Sequence, residues 1–219
     1  MYTMNKMLKV VFSLIMLLTL CSMQQATMKR YQLTEGISAS VPESFVPMSD
    51  NDLAVRYPST KKPLARFTSS DMTVDFGLNA TKSNWAGDDL ALLKEVYKST
   101  LYTLYNEVQI IREEIQTINK QNFVVLEFTS KADQTRKYTF LQYGIFNTRV
   151  YIFNFTCHER EMAKWRETAN EIMSSVKVKP GKLKTIEYNP SGTAPSKGKS
   201  PKEVLDEQKS KSGQKTTGR

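Results

Sequence analysis

Residues 108–155 read VQIIREEIQTINKQNFVVLEFTSKADQTRKYTFLQYGIFNTRVYIFNF and contain four strand-like segments in succession. The segments, each rich in the β-branched and aromatic residues that favour strands, are 108–118, 123–128, 137–146 and 149–155. Polar, turn-favouring residues join them at 119–122, 130–134 and 147–148. Because a parallel crossover needs a dozen or more residues, these short connections predict an antiparallel meander.

Amphipathic helices are predicted on both sides of this meander. Before it, Asp88 and Asp89 open residues 90–104, where leucine and tyrosine recur every three or four positions. Acidic residues at this point also complement the positive end of a helix dipole. After it, apolar residues recur at helical spacing through 162–173, and residues 156–159 have the T-x-x-E pattern of a capping box. The sequence therefore predicts two helices, the second beginning at this box.

The N-terminal half adds further strands. Residues 36–41 alternate apolar and polar side chains until Pro42, which predicts a strand. Ser49 is placed to cap one or two helical turns, and residues 65–68 and 72–80 predict a hairpin. Together these elements give an α+β class: an antiparallel sheet of six to seven strands packed with two amphipathic helices, an α-β-α sandwich.

The N-terminus has the pattern of an export signal. Met1 to Lys9 carries two lysines and no acid, and Val10 to Leu20 is an unbroken eleven-residue run, VVFSLIMLLTL. The run is too short for a membrane span of about 20 apolar residues, so residues 1–26 are interpreted as a cleavable signal peptide. A lipoprotein signal is the alternative, in which Cys21 is lipidated. Either processing leaves Cys157 as the one free thiol of the mature chain and excludes an internal disulfide.

Charge is concentrated in the C-terminal segment. The chain of 219 residues has a formal net charge of +9, and residues 180–219 alone hold eight Lys and one Arg against three Glu and one Asp. This segment has few large apolar residues, which predicts a disordered basic tail after a sandwich domain at 31–179. The tail is either a solvated spacer or a contact for an anionic surface. Export makes nucleic acid an unsuitable partner, and membrane contact is expected only if Cys21 is lipidated.

Several short motifs resemble the PsbP/Mog1/DcrB-like group. They are ISASVPESF (37–45), the pair Tyr57-Pro58, the long meander, and the end of the last helix, IMSSV (172–176). The resemblance covers Gly36 to Val178 and implies an α-β-α sandwich used for binding. The group includes a photosystem accessory protein, a nuclear Ran-binding protein and bacterial envelope lipoproteins, and it has no common set of catalytic residues. The export signal points to the envelope branch.

No pattern for catalysis, a metal or a cofactor is recognised in the sequence. Cys157 and His158 are adjacent, and neighbours on an extended segment point to opposite faces, which argues against a thiol–imidazole pair. His158 is the only histidine of the chain, and no zinc or EF-hand spacing occurs. Phosphate-loop, dinucleotide and serine-hydrolase motifs are also absent. The protein is therefore predicted not to be an enzyme and to need no cofactor.

Two functional hypotheses follow. The first is an exported envelope protein, periplasmic or associated with the outer membrane, that docks onto a larger assembly through an envelope protein partner. Aromatic residues of the last two strands would form its partner surface if part of them faced outward: Tyr138, Phe140, Tyr143, Tyr151 and Phe153. The alternative is a small-ligand carrier or enzyme whose pocket between sheet and helix is lined by polar residues such as Glu127, Arg149 or Asn154.

Overall fold

The computed structural model describes residues 26–56, 62–81, 85, 88–132 and 134–183. The predicted signal peptide, with Cys21, lies outside the described residues, except for Ala26. The Tyr57-Pro58 pair and residues 184–219 of the predicted tail also lie outside them. Ten strands are described: β1 (Met28–Thr34), β2 (Ile37–Pro42), β3 (Val46–Pro47), β4 (Ala65–Thr68), β5 (Asp75–Ala80), β6 (Asn106–Ile118), β7 (Gln121–Ala132), β8 (Thr135–Phe146), β9 (Arg149–His158) and β10 (Lys177–Val178). The α-helices are α1 (Asp50–Arg56), α2 (Leu90–Leu104) and α3 (Met162–Ser174).

The strands form two antiparallel sheets. The larger has the order β3-β4-β5-β9-β8-β7-β6 and contains the predicted meander at one side. The smaller has the order β1-β2-β10, so the predicted strand at 36–41 belongs to a second sheet that the sequence did not predict. The α+β class, the seven antiparallel strands and the two amphipathic helices are confirmed.

Successive residues of a strand point to opposite sides of the sheet, and both of these faces are covered. On one face, Val124, Leu126 and Phe128 of β7 lie in a core cluster with Leu93 and Leu101 of α2. On the other face, a second cluster joins Phe123 and Val125 of the same strand to Ala169, Ile172 and Met173 of α3 and to Ile37, Ala39 and Val41 of the small sheet. The result is the expected α-β-α sandwich. No helix within the described part of the chain is long and apolar enough to cross a membrane.

Local capping signals explain where two of the helices begin. The Asp89 carboxylate accepts a hydrogen bond from the Leu92 N–H at 2.9 Å and caps α2. Ser49 Oγ accepts from the Asp52 N–H at 3.2 Å and caps α1. The predicted cap by Ser49 is therefore present, and Asp89, which was predicted only to complement the helix dipole, is also a cap.

The predicted capping box before the last helix is wrong. Thr156 pairs with Asp75 of β5 and Thr139 of β8, and β9 continues through His158. The Glu159 carboxylate accepts hydrogen bonds from the Arg136 guanidinium, and α3 begins three residues later. Pairing with strands on both sides outweighs a local cap that would satisfy only two N–H groups.

Candidate binding cleft

A buried carboxylate organises the sheet face beneath α3. Glu127 of β7 has no solvent exposure. Its Oε1 accepts hydrogen bonds from Tyr138 Oη of β8 at 2.9 Å and from the Arg166 guanidinium of α3. Its Oε2 lies 3.1 Å from Arg112 Nε of β6. One carboxylate thus connects three adjacent strands to the helix, as a buried charge requires if its desolvation is to be offset.

The same contacts perturb the ionisation of the neighbouring groups. The hydrogen bond to the Glu127 carboxylate raises the pKa of the Arg166 guanidinium. Burial, followed by the charge of Glu127, raises the pKa of the Tyr138 phenol well above its usual range. Tyr138 therefore stays protonated and remains a hydrogen-bond donor to the carboxylate at all physiological pH values.

A cleft of about 310 Å³ lies beside this network, between α3 and the outer strands of the sheet. Strand β6 contributes Arg112, Gln116 and Ile118, and strand β8 contributes Phe140 and Gln142. The helix contributes polar groups at the rim, among them Glu167, Asn170 and Glu171, and the apolar side chain of Met173. Seven of its ten lining residues are polar, and Ile118, Phe140 and Met173 supply the apolar part of the lining.

Arg112 is held in place at one wall of this cleft. Its NH2 nitrogen donates to Asn170 Oδ1 at 2.8 Å, and its guanidinium carbon lies 4.8 Å from the centre of the Phe140 ring. Its Nε lies 3.1 Å from Glu127 Oε2 as an ion pair, but it makes no hydrogen bond among the described residues. The cleft is therefore walled by a charged group whose orientation the fold determines.

Gln142 is the deepest polar group that lines the cleft. Its side chain is fully buried, and its Nε2 donates to the Met173 carbonyl at 3.4 Å. Its Oε1 has no hydrogen-bond partner among the described residues. Most buried polar atoms of proteins are hydrogen-bonded, so this acceptor marks a position where a donor is expected.

The structure places the five predicted surface aromatics inside the protein. Tyr138 and Phe153 have no exposure, and Phe140, Tyr143 and Tyr151 are each 2% exposed. The expectation that part of this set faces outward as a partner surface is wrong for these five side chains. The reason is that helices cover both faces of the sheet, with Tyr143 under α2 and the other four in the cluster under α3 and the small sheet.

Cys157 and His158 do not form a reactive pair. Cys157 is buried in the core, and burial raises the pKa of its thiol to about 12. His158 lies at a separate cleft of about 270 Å³ with Arg136 and Arg160. The two side chains point to opposite faces, as predicted, and the buried thiol remains protonated and unreactive at neutral pH. Among the described residues, no group of three or more His, Cys, Asp or Glu side chains could hold a metal ion.

The polar residues proposed for an inward-facing pocket are dispersed. Glu127 is buried but engaged by its own partners. Arg149 donates to the Thr81 carbonyl at 3.2 Å, and Asn154 lies near Arg66 on β4. None of the three lines the cleft under α3. Apart from Phe140, the sequence analysis singled out none of the residues that line that cleft, above all Arg112 and Gln142.

Solved structures with the same fold were identified. Cyanobacterial PsbP (CyanoP) from Synechocystis sp. PCC 6803 matches with a TM-score of 0.51 and 12% identity, over 72% of this chain and 96% of that chain. LpqN of Mycobacterium tuberculosis, which is involved in cell envelope biogenesis, matches with a TM-score of 0.51 and 12% identity, over 70% and 92%. The Ran-binding protein Mog1p of Saccharomyces cerevisiae has a TM-score of 0.48 and 10% identity, over 70% and 96%.

These comparisons establish the fold. The chain has an α-β-α sandwich fold like those of cyanobacterial PsbP and LpqN, and this is the fold that the sequence motifs predicted. At 12% identity the likeness concerns the fold alone. No family model matches the chain, and no curated protein matches it in sequence.

Proposed function

We propose that the protein is an exported, non-catalytic binding or accessory protein of the bacterial cell envelope, and that it docks onto a larger envelope assembly. The observation that carries this proposal is the basic, acid-free N-terminus followed by the apolar run Val10–Leu20. Such a segment directs a chain out of the cytoplasm, to the periplasm or, with lipid on Cys21, to a membrane surface. The basic residues after Pro180 would add contact with an anionic surface.

The fold supports a binding role. A sandwich of the same architecture occurs in LpqN, a protein involved in cell envelope biogenesis. Cys157, the one free thiol of the mature chain, is buried and protonated, which argues against thiol chemistry. The partner is expected to be an envelope protein rather than a nucleic acid.

A photo-crosslinking experiment tests this proposal. The full chain and a variant lacking residues 1–26 are expressed in a bacterium, with a photo-crosslinking residue in place of Lys164 on α3 or Glu95 on α2, both on the surface. We expect the full chain in the envelope or periplasmic fraction and one adduct of defined mass from at least one position. The truncated variant should form no such adduct. Cytoplasmic retention of the full chain, or identical adducts from both forms, would overturn the proposal.

A second candidate function is the binding of a small ligand in the cleft under α3. The observation that favours it is Gln142, which lines the cleft and whose buried Oε1 has no hydrogen-bond partner among the described residues. This function is compatible with docking, since a side chain of the docked partner can supply the ligand group. It replaces the earlier expectation of a pocket lined by Glu127, Arg149 and Asn154.

A further inference from the structure

The positive charge of the described part of the chain is concentrated at the small sheet. Residues 28–43, 119–120 and 171–183 comprise this sheet and the segments directly joined or hydrogen-bonded to it, and they hold six basic residues against three acidic ones. The basic residues are Lys29, Arg30, Lys120, Lys177, Lys179 and Lys182, and the acidic ones are Glu35, Glu43 and Glu171. The other described residues include 13 basic and 14 acidic ones. The net positive charge therefore lies at one place on the domain.

The six basic side chains near the small sheet are free to contact an anionic partner. Elsewhere, ion pairs hold basic residues of the large sheet and of both long helices, for example Lys98 with Glu113 at 2.7 Å. None of the six has a carboxylate partner among the described residues, and all six are exposed to solvent. Their charge is therefore not neutralised within this part of the chain.

Two of these side chains point to the outer face of the small sheet. The apolar residues of β2 pack into the core, so its alternate residues Ser38 and Ser40 point away from it. Arg30 of β1 pairs with Ser40, and Lys177 of β10 pairs with Ser38, which places both basic residues on the outer face. The Arg30 guanidinium donates to Ser38 Oγ and to the Ser175 carbonyl, each at 3.2 Å. The outer face thus presents an oriented guanidinium and a lysine.

Three lysines adjoin this face at the two ends of β10. Lys179 and Lys182 follow the strand, and the Lys179 N–H donates to the Gly36 carbonyl at 2.8 Å. Lys120 lies in the turn between β6 and β7, where Asn119 Nδ2 donates to the carbonyl of Val176, the residue before β10, at 2.7 Å. We call the combined surface the basic face; its members are Arg30, Lys120, Lys177, Lys179 and Lys182.

Both ends of the described chain leave from the same sheet. Strand β1 begins at Met28, seven residues after Cys21, and seven residues span at most about 25 Å when fully extended. At the other end, the residues after Leu183 begin a segment with seven Lys and one Arg against three Glu and one Asp. A lipid on Cys21 and the basic tail would therefore both extend from the sheet that carries the basic face.

We propose that the basic face binds the anionic phospholipid headgroups of a membrane surface. Guanidinium and ammonium groups are the side-chain groups that bind phosphate, and basic residues beside a membrane are attracted to acidic lipids. Charges spread over a sheet and its flanking turns fit a planar array of headgroups better than a single small anion. The inference deepens the proposed function, because it names the lipid surface as one component to which the protein docks. It goes beyond the sequence-based expectation that membrane contact depends on lipid at Cys21.

Vesicle binding tests the inference without reference to export. The chain without residues 1–26, the processed form under the proposed function, is floated with vesicles of phosphatidylglycerol and phosphatidylcholine in equal parts, or of phosphatidylcholine alone. We expect binding to the anionic vesicles only. It should be lost when salt is raised from about 0.1 M to about 1 M, because the screening length falls from about 10 Å to about 3 Å.

Two triple variants with the same net charge assign the binding to the basic face. One replaces Lys177, Lys179 and Lys182 with glutamine. The control has the same change at three exposed lysines elsewhere on the surface, Lys62, Lys137 and Lys164. The first variant should bind the anionic vesicles more weakly by a factor of about 10 to 100, and the control by less than about threefold. Both keep the basic tail, so its own attraction to the vesicles cancels in the comparison.

NMR with spin-labelled lipid shows which side of the domain approaches the membrane. In the ¹⁵N-labelled chain with phosphatidylglycerol bicelles whose headgroups carry a spin label, the amide signals of Ser38, Ser40 and Lys177 should broaden. The amide of Glu95, on α2 across the large sheet, should remain sharp. Equal broadening of all four signals would show that the domain has no preferred face, and the inference would be wrong.

The remaining outcomes also decide the inference. If both triple variants bind alike, the folded surface is not the contact and the inference is wrong. Equal binding to anionic and neutral vesicles would exclude headgroup charge as the cause. Binding to soluble polyglutamate but to no vesicle would replace the lipid surface by an acidic protein. Each of these failures leaves the proposal of export and docking intact, because fractionation and crosslinking test that proposal separately.

Discussion

Replacement of Glu127 by methionine should destabilise the protein strongly, because this carboxylate is fully buried and has three partners. The substitution leaves Tyr138 Oη, which is also buried, without its acceptor. It also removes the nearer counter-ion of the Arg112 guanidinium, whose side chain is only 28% exposed, and leaves it the Glu114 carboxylate at 3.7 Å. Arg166 loses least, because its side chain is 46% exposed and can turn toward water.

The magnitude follows from these contacts. An unsatisfied buried hydroxyl costs about 1–3 kcal/mol, and breaking a buried ion pair by removing one partner costs about 3–5 kcal/mol. Since both arginines reach solvent in part, the lower end applies, and we expect a loss of about 3 kcal/mol in the free energy of unfolding. This is a large fraction of the stability of a domain of this size, typically about 5–15 kcal/mol.

Urea unfolding, followed by far-ultraviolet circular dichroism and tryptophan fluorescence, measures this loss. With a denaturant dependence of about 1–3 kcal/mol per molar urea, the midpoint of unfolding should fall by about 1 M or more. The triple variant Glu127→Met, Arg112→Met, Tyr138→Phe should recover most of the loss, because it removes the stranded polar groups together with the carboxylate.

Glu107 provides a matched control. It also contacts two basic side chains, with 3.3 Å to Lys131 Nζ and 2.7 Å to Arg136 NH1, but its side chain is 53% exposed. Glu107→Met should therefore cost less than about 1 kcal/mol. Equal losses for the two substitutions would refute the reasoning, since burial would then have no influence on the strength of the network.

Three further predictions concern ionisation, capping and turn geometry. Burial raises the pKa of the Cys157 thiol and of the Tyr97 phenol, each to about 12 from ordinary values of 9.0 and 10.0. As pH rises, the unfolded chain therefore releases these protons before the folded chain does. The melting temperature should be insensitive to these groups below about pH 9 and should fall between pH 9 and 12. An unchanged melting temperature at pH 11 would contradict this. Asp89→Ala removes the cap of α2 and should lower the free energy of unfolding, measured in urea, by about 1 kcal/mol. Asp88 makes no capping bond to this helix, so Asp88→Ala should change that free energy by less than about 0.5 kcal/mol. Equal effects of the two substitutions would exclude the capping role. Thr148→Gly should raise the unfolding free energy by about 1 kcal/mol, because the β-branched threonine has φ 63° in a two-residue turn; a lower midpoint in urea would show that the threonine side chain contributes more than the backbone strain costs.

The elements that the sequence predicted well are those determined by local patterns. The meander follows from runs of strand-forming residues joined by short turns, and the beginning of α2 follows from the Asp89 cap. The sequence was less informative about the lengths of the turns between strands. The connection between β6 and β7 is a two-residue turn with Asn119 at φ 48° and Lys120 at φ 68°, shorter than the four-residue turn expected, because the strand pairing continues to Ile118 and Gln121.

The small sheet depends on contacts between distant parts of the chain. Strand β10 has two residues, and its pairing with β2 joins positions about 140 residues apart, which no local period reveals. Strand β1 begins at Met28, upstream of the predicted domain boundary at residue 31. It was not predicted, because Lys29 and Arg30 interrupt the pattern of strand-forming residues. Arg30 is nonetheless anchored, because its guanidinium donates to the Ser175 carbonyl at 3.2 Å.

The candidate site was only partly visible in the sequence. Glu127 was predicted as an inward-facing polar residue, and a polar side chain between apolar neighbours could have identified Gln142 in the same way. Arg112 and Arg166 could not be distinguished from the other basic residues, since their role depends on which strands and helix lie side by side. The period of two also gave no guide to exposure, because this sheet buries both of its faces.

Intact mass and cell fractionation of the protein expressed in a bacterial host, with Cys21→Ser beside the wild type, test export most directly. If the protein is exported, we expect a processed chain outside the cytoplasm. Its mass would begin either at a lipidated Cys21, with membrane association lost in the variant, or near Thr27, with both forms free of the membrane. An unprocessed chain that begins at Met1 or Tyr2 and remains in the cytoplasm would show that the proposal of export is wrong.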